Sequence, residues 1–482
     1  MYLVPNYLIY HSGCLMFAKN KQIDPWRGKT PTPEGFNKES TEGMDVIAFA
    51  LLKELVLDKD EDLTPFPAFI IWRLYTKAYT WDAKPENLEF FRSQIPNFHG
   101  LMDDYIYEKM KSQGVEEFAK FIKEEANRLS PKVKKVFDAA RALASLIEFE
   151  ELKEKIRPDA KTETEERVSR RICDFSDLPH FLEIAFGVGE YGKIKELLKN
   201  ISASRYIFRW QGYMSPIKCS ILEHMLESAV ISYMMNLEKG DVSKEDMLRD
   251  FWVLMFHDLS EVWTDDIPSP VKDNMKFFVP VSKVLELLNF HTSERVEKLI
   301  ELVNSDGGIT LEEQRELLGA FDRETFLDLF KKDFPEEEKE KAWKVAERFK
   351  QLSDSDELNV CELTDLLNTS IMVSFRIFTE FQELKALEEH FYSELPERVE
   401  KFFRDGVMLD DVKDKEKKKF YKAADYFSAD LEVFWNIKGG SGEYRFIEIL
   451  EESASKDSNR TPEQRKLLEL YVNECEDIAF FD

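Results

Sequence analysis

Apolar residues recur at three- and four-residue spacing along most of the chain, the pattern of helices that bury one face. Met44-Asp45-Val46-Ile47-Ala48-Phe49-Ala50-Leu51-Leu52 is apolar over a wide arc and predicts a buried helix opening near Ser40. Upstream, the apolar N-terminus reads as a buried first helix, and the Pro/Gly-rich stretch 24–35 reads as turns. An aromatic helix is expected over 66–81 and long helices over 101–155, with Ser130-Pro131 as cap and first-turn proline. Further helices are expected over 180–200 and 220–237, separated by the turn-rich stretch 209–216. Ser243-Lys244-Glu245-Asp246 resembles a capping box with Asp in the place of Glu. It opens a helix that runs through Phe251 to His257-Asp258, and Pro268 and Pro270 break the chain beyond. Two long helices at 371–403 and 414–437, a Gly-rich stop at 438–442 and a last helix from Pro462 complete the pattern. The expected fold class is all-α.

One stretch interrupts this pattern. Lys153 to Arg171 is highly charged and almost free of large apolar residues, which marks it as the best linker. The expected organisation is a helical domain at 1–155, a charged linker at 156–174, a second body at 175–455, and a C-terminal tail and helix at 456–482. The second body carries a charged segment at about 282–370 that reads as an insertion.

Composition narrows the function classes. The 482 residues allow two or three full-sized cores. A net charge of −27, from 67 basic and 94 acidic side chains, argues against sequence-independent binding to nucleic-acid backbones. Five scattered cysteines without CxxC spacing favour a reducing cytosol over a disulfide framework, so a cytoplasmic location is expected. No uninterrupted run of about 18 apolar residues predicts a membrane span. Self-association is left open.

The chemistry gathers around His257-Asp258. Burying polar groups without partners costs roughly 2–7 kcal/mol, and a divalent metal would partner imidazole and carboxylate together. His224 precedes the pair and Asp425 follows it, an H…HD…D pattern over three helices. Two imidazoles and two carboxylates can hold one cation and leave positions open for water and phosphate.

The surrounding residues carry a resemblance. Glu223-His224, then His257-Asp258-Leu259-Ser260-Glu261, then Thr264-Asp265-Asp266-Ile267-Pro268-Ser269-Pro270-Val271-Lys272 resemble the HD-domain 5′-deoxynucleotidases of the YfbR type. The Arg209-Trp210 pair and the helix around Lys422-Ala423-Ala424-Asp425 are also similar to that family. Asp265 stands where the family has Gly, and the insertion brings in Asp365 as a competing fourth ligand. The matching flanks favour Asp425.

The resemblance implies an HD-domain helical bundle with one divalent metal (Mn, Co, Fe, Ni, Zn or Mg) held by His224, His257, Asp258 and Asp425. It implies catalytic roles for Glu261, as base or water-orienting group, and for Asp266, at the sugar or leaving oxygen. Arg209 would clamp phosphate, Trp210 would wall the nucleoside pocket, and the partner would be a small phosphorylated substrate. The implied function is a metal-dependent phosphohydrolase acting on a (deoxy)nucleoside 5′-monophosphate or similar ester. A non-catalytic metal- and nucleotide-binding regulator, or a phosphodiesterase or triphosphohydrolase on the same scaffold, are the alternatives.

The first 155 residues echo the second half loosely. Pro25-Trp26-Arg27-Gly28 resembles Arg209-Trp210-Gln211-Gly212, Ser40-Thr41-Glu42-Gly43 stands where a Glu-His would begin the ligand helix, Trp72-Arg73 replaces the His-Asp pair, and Asp138 takes the place of the last Asp. A tandem arrangement with a degenerate N-terminal copy is the expectation.

Overall fold

The computed structural model describes residues 7–31, 33–80, 85–210, 213–264, 383, 386–405, 407, 414–441, 444–455 and 460–479. Among them, helices make up nearly all regular structure, and the bridge between Phe208 and Ser220 is the one β feature. The all-α expectation holds. Two units divide the chain: 1–262 with 390–482, and 263–389. The inserted segment 282–370, with Asp365, lies outside the described residues, as do Asp265, Asp266 and Lys272.

The larger unit opens with α1 (Tyr7–Lys21), α2 (Lys38–Val56), α3 (Phe66–Thr80), α4 (Pro85–Gln94), α5 (Phe98–Ser112), α6 (Glu116–Arg128) and α7 (Pro131–Leu152). It continues through α8 (Pro158–Cys173), α9 (Phe181–Phe186), α10 (Lys193–Ser202), α11 (Ile221–Lys239) and α12 (Lys244–Met255). After the short α13 (Glu261–Thr264) come α14 (Glu397–Arg404), α15 (Lys415–Lys438), α16 (Tyr444–Ser455) and α17 (Pro462–Ala479).

Two of these helices are buried on nearly every side. In α2 the residues from Lys38 to Lys53 are all buried, as are those from Ile221 to Leu237 in α11. Each begins with a reciprocal cap. Asn37 accepts from the Ser40 amide (3.0 Å) while the Ser40 hydroxyl accepts from the Asn37 amide (3.2 Å). Ser220 and Glu223 repeat the exchange at α11 (3.4 and 3.1 Å). These caps satisfy amides that a buried helix start would otherwise orphan. The two helices pack on each other, with Gly43 at the contact: a Cβ there would lie 3.1 Å from Leu222 Cδ1 and 3.2 Å from its carbonyl oxygen. Gly43 is therefore a packing residue.

Polar side chains line the same seam. Buried Lys21 of α1 reaches Glu227 (2.6 Å), Glu223 (3.0 Å), Glu39 (3.6 Å) and the Cys219 sulfur (3.1 Å). A charge so far from water is tolerable only with partners of this kind.

The stretch expected to be a linker is helical. Residues 158–173 form α8, opened by Pro158 in its first turn, and Thr164, Val168 and Ile172 bury one narrow stripe at four-residue spacing. Val168 joins Trp26, Phe36, Phe149, Leu152 and Ile156 in one apolar cluster. The expected continuous helix over 180–200 is instead broken: Gly187 (φ 66°) and Gly189 (φ 71°) take left-handed backbone between α9 and α10.

Candidate metal centre

His224 is the fourth residue of α11, set one turn inside the helix by the Ser220 cap, and is fully buried. The helix expected to carry the His-Asp pair ends earlier, at Met255, with Phe256 leaving helical geometry (φ −125°, ψ 7°). His257 and Asp258 therefore project from the turn after α12. Asp425 lies on α15, which packs along α11.

These elements bring four donor atoms together. His224 Nε2 lies 2.9 Å from Asp425 Oδ1 and 3.7 Å from Asp258 Oδ2. His257 Nε2 lies 3.2 Å from Asp258 Oδ2 and 3.7 Å from Asp425 Oδ1. Donors about 2.1 Å from one cation stand about 3.0–3.4 Å from one another, so this spacing fits a single divalent ion. The imidazoles are buried, while the Asp258 and Asp425 carboxylates are 20% and 27% exposed, which leaves a wet side for substrate. Nε2 of His257 is buried and makes no hydrogen bond among the described residues. A divalent ion would satisfy this atom together with the Asp258 oxygen 3.2 Å away.

The far side of each ring is tied down. His257 Nδ1 sits 2.7 Å from the Leu254 carbonyl, which can only accept, so Nδ1 carries a proton and Nε2 is the nitrogen turned toward the carboxylates. His224 Nδ1 donates to Glu432 Oε1 at 2.7 Å. Burial and Arg209 push the His224 pKa down, yet Glu432 and Asp425 outweigh them and leave it raised. Burial likewise opposes charge on His257, and Asp258 with Asp425 overcomes it and holds that pKa well above the ordinary value. Metal binding would exchange these ring protons for the ion.

Glu432 escaped the sequence reading. It is fully buried on α15, seven residues and so two turns beyond Asp425 on the same face. Its Oε1 takes His224, and its Oε2 takes the Trp210 indole N–H (2.6 Å) and Arg209 Nε (3.2 Å). Burial would raise its pKa, but Arg209 and His224 hold it down to about 2. The i, i+7 acidic pair Asp425/Glu432 was the signal that could have found it.

Arg209 and Trp210 are delivered by a short antiparallel pairing. The Arg209 amide donates to Cys219 (2.9 Å) and the Ile221 amide to Ile207 (3.0 Å), just before α11 begins. Arg209 Nη1 thereby comes 3.6 Å from Asp258 Oδ2. Trp210 takes left-handed backbone (φ 62°), and its ring meets Phe446 of α16 edge-on at 5.6 Å. Glu261 opens α13, buried, with its amide on the Asp258 carbonyl (3.1 Å). Asp266, the other expected catalytic residue, lies outside the described residues.

With that geometry in hand, comparison with known families gives one match. Residues 196–300 match the YfbR-like 5′-deoxynucleotidase family. This family belongs to the HD-domain superfamily, whose members typically bind a divalent metal. The matched stretch contains Arg209, Trp210, His224, His257, Asp258 and Glu261, but not Asp425 or Glu432. The match supports a nucleotide phosphohydrolase kind of function. Curated proteins and solved structures give no match. Among the described residues, no helix is long and apolar enough to cross a membrane.

Proposed function

We propose that the chain is a metal-dependent phosphohydrolase that releases phosphate from a (deoxy)nucleoside 5′-monophosphate or a similar small phosphate ester. The observation that carries this reading is the set of four donors 2.9–3.7 Å apart, with both imidazoles fixed from behind. A divalent ion held there would supply a Lewis acid for a phosphoryl oxygen and would acidify a water.

The chain's own residues supply the rest. Arg209, beside Asp258 and steadied by Glu432, presents its planar fork to the phosphoryl oxygens as their charge grows. Glu432 holds His224 and Trp210 in register, so one buried carboxylate sets both the ligand side and the substrate side. Glu261, three residues after Asp258, takes a proton from the attacking water. Asp266 serves the sugar or leaving oxygen, and Trp210 walls the nucleoside, as the family resemblance implies.

The test is phosphate release from a panel of deoxynucleoside and ribonucleoside monophosphates with Mn²⁺, Co²⁺ or Mg²⁺, alongside elemental analysis. Release that disappears in His257→Ala and Asp258→Ala is expected. Bound metal with no release from any substrate would instead favour a binding protein.

A further inference from the structure

A chain of polar contacts runs from the first helix to the back of the metal centre. Lys21, in the last turn of α1, keeps its side chain buried (3% exposed) and sets its ammonium 2.6 Å from Glu227 Oε1 of α11. The other oxygen of Glu227 accepts from the Ser428 hydroxyl of α15 (3.2 Å). Ser428 Oγ in turn lies 3.3 Å from His224 Nδ1, the nitrogen that also faces Glu432 at 2.7 Å. The directions agree. The hydroxyl gives its proton to Glu227, so its oxygen can receive from Nδ1, whose single proton is shared between Ser428 and Glu432. The ring of His224 is thus held from behind by two routes, and Lys21 is the far end of one of them.

The far end of this route is a place built for a cation. Glu227, Ser428 and Glu432 are fully buried, and Glu227, Glu432 and the Cys219 sulfur offer atoms that all lie within 4.8 Å of one another. The ammonium of Lys21 supplies the positive charge there. Besides Glu227 it reaches Glu223 (3.0 Å), the Cys219 sulfur (3.1 Å) and Glu39 (3.6 Å), and it lies 5.2 Å from the centre of the Trp435 ring. Burial opposes its charge, and Cys219 with the three glutamates overcomes it. Taking the ammonium away leaves like charges facing each other where the dielectric is low and repulsion strong, so the carboxylate that anchors Ser428 cannot keep its place.

We infer that Lys21 is a positioning residue of the metal centre, a tethered cation that fixes the ring of His224 for its ion through Glu227 and Ser428. This rests on the metal-centre reading and adds to it a part from α1, outside the matched residues 196–300. Altering a group behind a ligand costs about 10- to 100-fold in metal affinity. A Lys21 that served packing alone would hold the helices together and leave the ion's affinity untouched.

The test reads Co²⁺ binding to the full chain, by calorimetry and by the visible absorption of the bound ion, beside melting temperatures without metal. Lys21→Met is made together with Glu39→Gln, which removes a carboxylate 3.6 Å from the ammonium and outside the route to His224, so the lost charge is offset. Against Glu39→Gln alone, Lys21→Met is expected to weaken Co²⁺ binding about tenfold and to change its absorption. Ser428→Ala, which keeps every charge, should do the same. The two changes together should cost no more than either alone, since both cut one route. Tyr10→Phe removes the bond from α1 to Glu238 of α11 (2.6 Å) and leaves the route intact, so it should lower the melting temperature and keep the parent's Co²⁺ affinity. Unchanged Co²⁺ affinity in Lys21→Met or in Ser428→Ala, losses that add, or an equal loss in Tyr10→Phe overturns the inference. A parent chain that binds no divalent ion overturns the metal-centre reading, and this inference with it.

Discussion

Glu148 and Glu432 have similar partners and are used for opposite ends. Both are buried, both take a tryptophan N–H, and both take a side chain from the fourth residue of a capped, buried helix. Around Glu432 the groups beyond are imidazoles and carboxylates with a solvent-facing side. Around Glu148 the third partner is Arg205, wholly buried and bonded through Nη2 at 3.2 Å. Its Nε and Nη1 have no hydrogen bond among the described residues. A shared framework can thus present a reactive cluster in one place and a closed ion pair in another. The side chains one layer further out decide which.

The largest contrast is expected from removing a member of the cluster itself. Asp258→Asn should abolish phosphate release, because metal stabilisation of the transition state is worth several kcal/mol and thus on the order of a thousandfold or more. Asp138→Asn, on the N-terminal side, should leave release unchanged. Steady-state rates for the two variants check the pair, and equal losses would break the comparison.

The two glutamates give the next largest split. Glu148→Gln leaves the buried Arg205 without its carboxylate, and breaking a buried pair costs about 3–5 kcal/mol. Glu432→Gln should instead lower metal affinity or activity about 10- to 100-fold, the usual loss when a group behind a ligand is altered. Denaturant unfolding and metal titration on both variants should show stability lost in one and metal binding lost in the other.

Much of this layout was legible in the chain, and what was missed has physical causes. His224, His257, Asp258 and Asp425 were readable because each stands in a distinctive local setting, and all four meet. Glu432 was not, since a glutamate in a charged helix looks solvated until the partners across α11 are known. The N-terminal echo was visible at Trp26, while Thr41 and Glu148, which bond to each other across α2 and α7 and, through Glu148, to Trp26, carry no mark in the chain that sets them apart from solvated polar residues. The stretch 156–174 passed for a linker because a three-residue stripe, Thr164, Val168 and Ile172, is enough to seat α8 when neighbours supply the rest of the core.

Asp45 of α2 should also register pH where the metal centre is silent. Burial and the adjacent Glu42 raise Asp45 to about 6, against about 3.9 in an unfolded chain. Lys38, Arg73 and Arg141 act in the opposite sense, and Arg171 and Asp138 lie nearby. The folded state then binds more protons than the unfolded state between these values, so stability falls as pH rises from about 4 to about 6. The loss attributable to Asp45 is about 2–3 kcal/mol. Asp45→Asn should flatten that slope in unfolding free energies measured at pH 4.5, 5.5 and 6.5. A variant curve parallel to the parent would show that Asp45 does not titrate there.

The smallest expected effect tests whether the two regions depend on each other at all. A methyl group at Gly43 would meet Leu222 Cδ1 and Cγ at 3.1 Å and the Leu222 carbonyl at 3.2 Å. Leucine carbons can yield by a few tenths of an ångström, but the carbonyl belongs to the first turn of α11, two residues before His224. Gly43→Ala should therefore cost about 1–2 kcal/mol, the lower part of the overpacking range, offset in part by the better helix propensity of Ala. Because the strain enters α11 beside His224, metal affinity should weaken by a small factor too. A Leu222→Ala second change, which clears the side-chain contact, should recover affinity only if the methyl acts through the leucine. If affinity stays low while the overpacking is relieved, the α11 backbone carries the effect and couples the two regions.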